Sequence, residues 1–220
     1  NIIMKLIIGL FCSTVLSFFI VSCGNKEQKP VEKNNNDLPD TSKKNISEKN
    51  INPYVLVDIS PMDMSYYPVE YPKLKMTKTI DTPPMARVIY SRPHLQGRKL
   101  FHDVLKYGEP WRLGANESTE LDLYTDITIQ DKPVKAGRYV LYCIPQPDQW
   151  IIVINSNIDS WGLQPDSAKD IARFIIPVKQ TANHLEYYTM LFEKKDSVAE
   201  LVMAWDDLEA RLPIVFSGRK

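Results

Sequence analysis

Glycine is scarce in this chain, with 8 in 220 residues. So few leave little material for a loop that wraps phosphate in backbone amides, and neither G-x-G-x-x-G nor G-x-x-x-x-G-K-[ST] occurs. Charge of either sign is not in excess: 27 Lys plus Arg stand against 27 Asp plus Glu. A general nucleic-acid binder carries a basic surplus, so nucleic acid is not an expected partner. Cysteine is limited to three, and no G-x-S-x-G marks a serine nucleophile. The remainder, 44% hydrophobic and 25% charged, excludes a collagen-like, a fully disordered and a multi-span membrane chain. Proline, by contrast, is plentiful at 16.

The N-terminus reads as an address. Lys5 precedes an apolar run over residues 6–21, shorter than the roughly 20 residues of a membrane-spanning helix. The run ends in Ile20-Val21-Ser22, followed by Cys23 and Gly24. An aliphatic residue, a small residue and then cysteine is the pattern of lipoprotein processing, with the start at Met4. Residues 1–22 are therefore expected to be a signal peptide and Cys23 the lipidated residue. Several acyl chains on Cys23 make a stable anchor, at about 0.8 kcal/mol per buried methylene. Residues 23–52 carry mixed charge, Asn and Ser without an aromatic side chain, the composition of a disordered tether. About 28 flexible residues span roughly 30 Å. The expected location is the cell envelope, on a bacterial membrane and foremost the outer one, with the periplasmic or surface face left open. Cys12 leaves with the signal and Cys23 carries lipid, so Cys143 remains without a disulfide partner, a core residue in an apolar run.

From residue 53 the chain turns aromatic and branched. Residues 53–74 are read as an irregular Pro/Tyr-rich leader, and 75–217 as one all-β domain of about eight or nine strands, an antiparallel sandwich or barrel-like fold. Strands are expected at 86–91, around Leu121 and Leu123, and at 138–144, 150–155, 171–178, 185–192, 198–205 and 212–216. Turns are expected at Asp131-Lys132-Pro133, Ala136-Gly137, 145–148 and 194–196. Trp150, Trp161 and Trp205 are assigned to the core or its rim, and Asp206-Asp207 to a solvated turn.

The long segment between the strands at 86–91 and 121–123 holds the unusual residues. Arg92, Arg98, Lys99, Lys106 and Arg112 face only Asp103 and Glu109 before Asn116, a local basic excess in a neutral chain. Arginine offers a planar fork to carboxylate or phosphate, and Trp111 and Tyr107 offer stacking faces. The candidate binding residues are Tyr90, Arg92, Arg98, Tyr107, Trp111, Arg112, Asn116 and Glu117. The competing structural reading pairs these arginines with Glu117, Glu120 or the acids at Asp206, Asp207 and Glu209.

The segments YSRPHLQGRKLF, YGEPWRLGANEST, AGRYVLYCIPQPDQW and the later Trp161-Gly162 resemble the bacterial family called domain of unknown function 2911, over about residues 75–215. That family is frequent among envelope proteins of Bacteroidetes-type bacteria. The resemblance implies no established activity. Its motif falls on Tyr90, Ser91, Arg92, Pro93, Gly97, Arg98, Tyr107, Gly108, Trp111, Arg112, Gly114, Ala115, Asn116 and Glu117. Lys106 stands where the family has proline, and His94 and His102 fall outside the pattern.

Three functions fit this pattern of residues. The first is a binding or interaction module for a glycan, an anionic small molecule or an envelope protein, which needs no catalytic set and no cofactor. The second is an envelope hydrolase acting on a polysaccharide or ester. It would need two facing carboxylates, and Glu117 and Glu120 should point to opposite sides. The third is a metal site on His94, His102, Asp103 and Glu109, whose spacing matches no ligand motif; no metal is expected.

Overall fold

The computed structural model describes residues 58–196 and 198–217. The expected signal peptide, Cys23 and the tether to residue 52 lie outside these described residues. The described chain is all-β. Nine strands run β1 (Met62–Tyr67), β2 (Ala86–Ser91), β3 (Thr119–Leu123), β4 (Ile127–Ile129), β5 (Lys132–Val134), β6 (Gly137–Pro145), β7 (Gln149–Asn155), β8 (Asp170–Lys195) and β9 (Val198–Phe216). They form one antiparallel sheet in the order β1-β2-β3-β6-β7-β8-β9-β4-β5. No helix among the described residues is long and apolar enough to cross a membrane.

Alternation sets the strand faces. In β3, Thr119, Leu121 and Leu123 are buried while Glu120 and Asp122 face outward. The outward acids are paired across strands. Arg87 of β2 binds its register partner Asp122, and Arg138 of β6 grips Glu120 with both oxygens at 2.7 and 2.8 Å. The β4–β5 hairpin turns on Gln130 and Asp131, both with positive φ (46° and 62°), the backbone that matches the twist of a two-residue hairpin. The turn therefore sits just before the expected Asp131-Lys132-Pro133.

Three features differ from the sequence expectation. The leader is not irregular throughout: Met62–Tyr67 is β1, paired along its whole length with β2, and Tyr71–Met76 is a short helix, α1. Its prolines bracket the strand, Pro61 before and Pro68 after, so none removes a ladder hydrogen bond. The runs 171–178 and 185–192 form one strand, β8, and 198–205 and 212–216 form one strand, β9. Residues 179–184 contain neither Gly nor Pro to turn the chain. Register shifts between Gln180 and Thr189 bend the strand instead, which lets one strand pass between layers. Asp206, expected in a turn, sits inside β9 at that irregularity with φ 57°.

The bent β8 brings the sheet round on its own core. The amide of Phe192 donates to Ser65 Oγ in β1 at 3.0 Å, and Tyr67 stacks on Phe216 at 4.7 Å. Just past β2, the amide of Leu95 donates to Glu186 O and that of Tyr188 to Pro93 O. Between these layers lie Trp150, Trp205, Tyr188, Phe174 and Phe192, all fully buried. Each such large side chain is worth roughly 1.5–3 kcal/mol of apolar burial.

Candidate functional site

Residues 92–118 leave the sheet after β2 and return at β3. Besides the bonds of Pro93 and Leu95 to β8, the backbone ties them down near both ends. Arg92 N donates to Pro61 O, extending the β1–β2 ladder, and Trp111 exchanges two backbone hydrogen bonds of 2.7 Å with Cys143 in β6. Leu113 and Asn116 adopt positive φ (56° and 60°) on either side of Gly114, whose Cα faces the Ser91 backbone so closely that a Cβ would lie 3.0 Å from Ser91 O.

The candidate residues separate into three groups. The first is built into the fold. Tyr90 is 1% exposed, donates to Asp63 Oδ2 at 3.3 Å, and has its phenol pushed up to about 12 by burial. All three nitrogens of Arg92 are engaged: Nε by Tyr188 O, Nη1 by Asp63 and Nη2 by Thr189 Oγ1, at 3.2, 3.2 and 2.9 Å. This clasp joins β1, the end of β2 and β8. Asn116 donates to Asp58 at 2.6 Å. Trp111, expected to offer a stacking face, is only 7% exposed. Trp150, Tyr188 and Trp205 surround its ring at 5.9, 4.9 and 5.8 Å, and its Nε1 donates to Gly114 O. Tyr107 is exposed but stacks on Phe101 at 4.1 Å.

The second group faces a pocket of about 440 Å³ above that tryptophan cluster, lined among others by Arg98, Lys106, Glu109, Arg112, Trp111 and Leu163. The volume lies in the range of small-ligand sites. Arg98 spends Nε and Nη2 on the carbonyls of Leu95 and His94, both at 2.8 Å. Arg112 makes one long bond, Nη1 to Trp161 O at 3.3 Å, and burial pulls its pKa down with no carboxylate to offset it. Arg87, Arg92, Arg138, Arg173 and Arg211 each pair with a carboxylate. Arg98 and Arg112 pair with none among the described residues, and both line this pocket. The structural reading of the arginines thus holds for Arg92, through Asp63, and not for Arg112. Of the five acids proposed as partners, Glu120 is engaged with Arg138, Glu209 with Arg211 and Asp206 with His184, and Glu117 and Asp207 make no ion pair with Arg112.

Glu117 forms the third group alone. It lies exposed in a separate cleft of about 380 Å³ with Glu120, Asp159 and Trp161. Glu117 and Glu120 share this cleft, contrary to the alternation expectation, because Glu117 precedes the first strand residue, Thr119. Both oxygens of Glu120 are occupied by Arg138. Among the histidines, His94 stacks on Tyr187, His102 binds Asp103 and His184 binds Asp206. No group of three or more His, Cys, Asp or Glu is placed to hold a metal ion among the described residues.

Trp161 and Leu163 were not among the expected site residues. They are 58% and 66% exposed on the loop between β7 and β8; Trp161 O accepts from Arg112, Leu163 lines the arginine pocket, and Trp161 lines the cleft of Glu117. Ser118 Oγ donates to Ser160 O at 2.8 Å, and Gly162, at φ 79°, lies where a Cβ would collide with Ser118 Oγ and press on Arg112 Cβ. The signal in sequence was the Trp161-Gly162 pair itself, an aromatic residue next to a turn-forming glycine between strands.

The molecule is thus an all-β domain with a cationic pocket set over a buried aromatic cluster. The chain belongs to the family described as "Protein of unknown function (DUF2911)", whose pattern matches residues 72–214. No curated protein and no solved structure matches the chain.

Proposed function

We propose that this protein is a binding module that takes an anionic small molecule or anionic sugar in the pocket of Arg98, Lys106 and Arg112. The observation that carries this reading is the pair of arginines without a carboxylate in one pocket. Arg112 is half-buried and Arg98 exposed, and an anionic ligand would supply the counter-charge that neither finds among the described residues. Leu163, exposed in the lining, gives the uncharged part of the ligand an apolar surface. On this reading the domain hangs from a lipid on Cys23 at a bacterial membrane, and the pocket meets its ligand in the cell envelope.

The test of binding is the thermal midpoint of wild type and Arg112→Ala against a panel of phosphorylated, carboxylated and neutral sugars. Anions that raise the wild-type midpoint by several degrees and leave a folded Arg112→Ala unmoved support the site. Equal shifts in both proteins place the binding elsewhere. The anchor is tested separately: Cys23→Ser should move the protein from the membrane fraction to the soluble fraction.

A further inference from the structure

The pocket's charge is specific as well as positive. Its charged lining residues are Arg98, Lys106, Arg112 and Glu109, and the single acid lies 3.5 Å from Lys106. Two positive charges are left without a partner in the lining. One carboxylate would neutralise half of this excess; a phosphate monoester would neutralise it with one compact group. The donors left over suit a tetrahedral anion. Arg98 Nη1 and the Nε and Nη2 of Arg112 make no hydrogen bond to the described residues. Lys106 is a mobile point charge, its side chain 73% exposed. In the same lining, where the rest of a ligand would extend, stands the exposed Leu163.

We infer that the ligand of this pocket is a dianion of the phosphate-monoester type carrying an apolar group, with the phosphate between Arg98, Lys106 and Arg112 and the apolar part against Leu163. This rests on the binding reading above. The shared chemistry has two sources, a soluble phosphate ester or the headgroup of a phosphomonoester lipid.

Calorimetric titration of the full chain with phenyl phosphate, benzenesulfonate and benzyl alcohol separates the terms. These share one ring and carry two, one and no negative charges at pH 8. Phenyl phosphate is expected to bind at least about tenfold more tightly than benzenesulfonate at pH 8, and the gap should close at pH 5. The second ionisation of a phosphate ester lies near 6, and no histidine lines the pocket, so the change reports the ligand. Lys106→Gln, at an exposed position, should narrow the preference while leaving the fold intact. Leu163→Ser should weaken phenyl phosphate several-fold and leave inorganic phosphate unchanged. Co-sedimentation with phosphatidylcholine vesicles containing phosphatidic acid, against the diester phosphatidylglycerol, identifies the source. Preferential retention by phosphatidic acid, competed by phenyl phosphate, assigns the lipid headgroup; binding of phenyl phosphate without vesicle retention assigns a soluble ester. Equal affinity for the two anions at pH 8 overturns the dianion and leaves the anion site standing. Benzyl alcohol binding as well as the anions, or no probe binding at all, overturns both.

Discussion

Trp111 and Cys143 exchange a pair of backbone hydrogen bonds, each 2.7 Å, although only Cys143 lies in a strand of the sheet. This isolated bridge decides the character of the site. It holds the backbone extended at Trp111, and successive side chains of an extended chain point to opposite sides. Trp111 goes down into the aromatic cluster, and Arg112 faces the pocket. The two neighbours should therefore behave differently on substitution.

Trp111→Ala removes a large side chain from among Trp150, Tyr188 and Trp205 and should cost about 3–5 kcal/mol in urea unfolding. Arg112→Ala loses one long hydrogen bond and should cost about 1 kcal/mol or less. Similar losses for both would mean that Arg112 holds the fold together.

Gly162→Ala tests the loop that carries Trp161. At φ 79°, with Ser118 Oγ and Arg112 Cβ in the way, an alanine must displace the loop or Arg112. A loss of about 1–2 kcal/mol and several-fold weaker anion binding are expected. A variant with wild-type stability and wild-type binding would contradict the packing described for this loop.

The Cys143 thiol is fully buried, and burial pushes its pKa well up. It should resist iodoacetamide at pH 8 in the folded chain and react promptly in urea. Mass spectrometry of the peptide spanning β6 reads the difference, and rapid native labelling would show that β6 opens far more readily than its packing indicates.

Arg211 provides the acid response. Its guanidinium binds Glu209, Glu193 and Glu200 at 2.7, 2.7 and 2.8 Å, and its bonds hold the Glu209 carboxyl below the usual carboxylate range. A carboxyl with a lowered folded pKa contributes stability above its unfolded pKa and loses it as pH falls through the folded value. Arg211→Met should thus cost about 2 kcal/mol at pH 7, and the difference from wild type should shrink toward pH 3. A pH-independent difference would show that Arg211 acts through packing alone.

Much of the fold was legible because particular runs carry their own pattern. Leu121 and Leu123 alternate with outward acids, and the runs of β6 and β7 are apolar enough to be buried strands. The strand β1 was hidden because Met62 and Met64 stay exposed while Tyr66 and Tyr67 are both half-buried, so no clean alternation shows. The three-residue strands β4 and β5 are too short for a period, and the continuity of β8 rests on register with a partner strand. The basic segment was visible as a site, but the division of its arginines was not. Arg92 is silenced by Asp63, which lies 29 residues earlier in the unrecognised β1. The roles of the tryptophans were exchanged for a similar reason: the bridge to Cys143 buries Trp111, and the docked glycine of the next residue leaves Trp161 outside.

The most direct test of the central claim is the Nε–H NMR signal of Arg112 during a titration with phenyl phosphate. The account predicts a saturable shift of the Arg112 and Arg98 signals, while those of Arg92 and Arg211, already held by carboxylates, stay in place. Binding that leaves Arg112 unmoved, or a titration that moves no arginine signal, would contradict it.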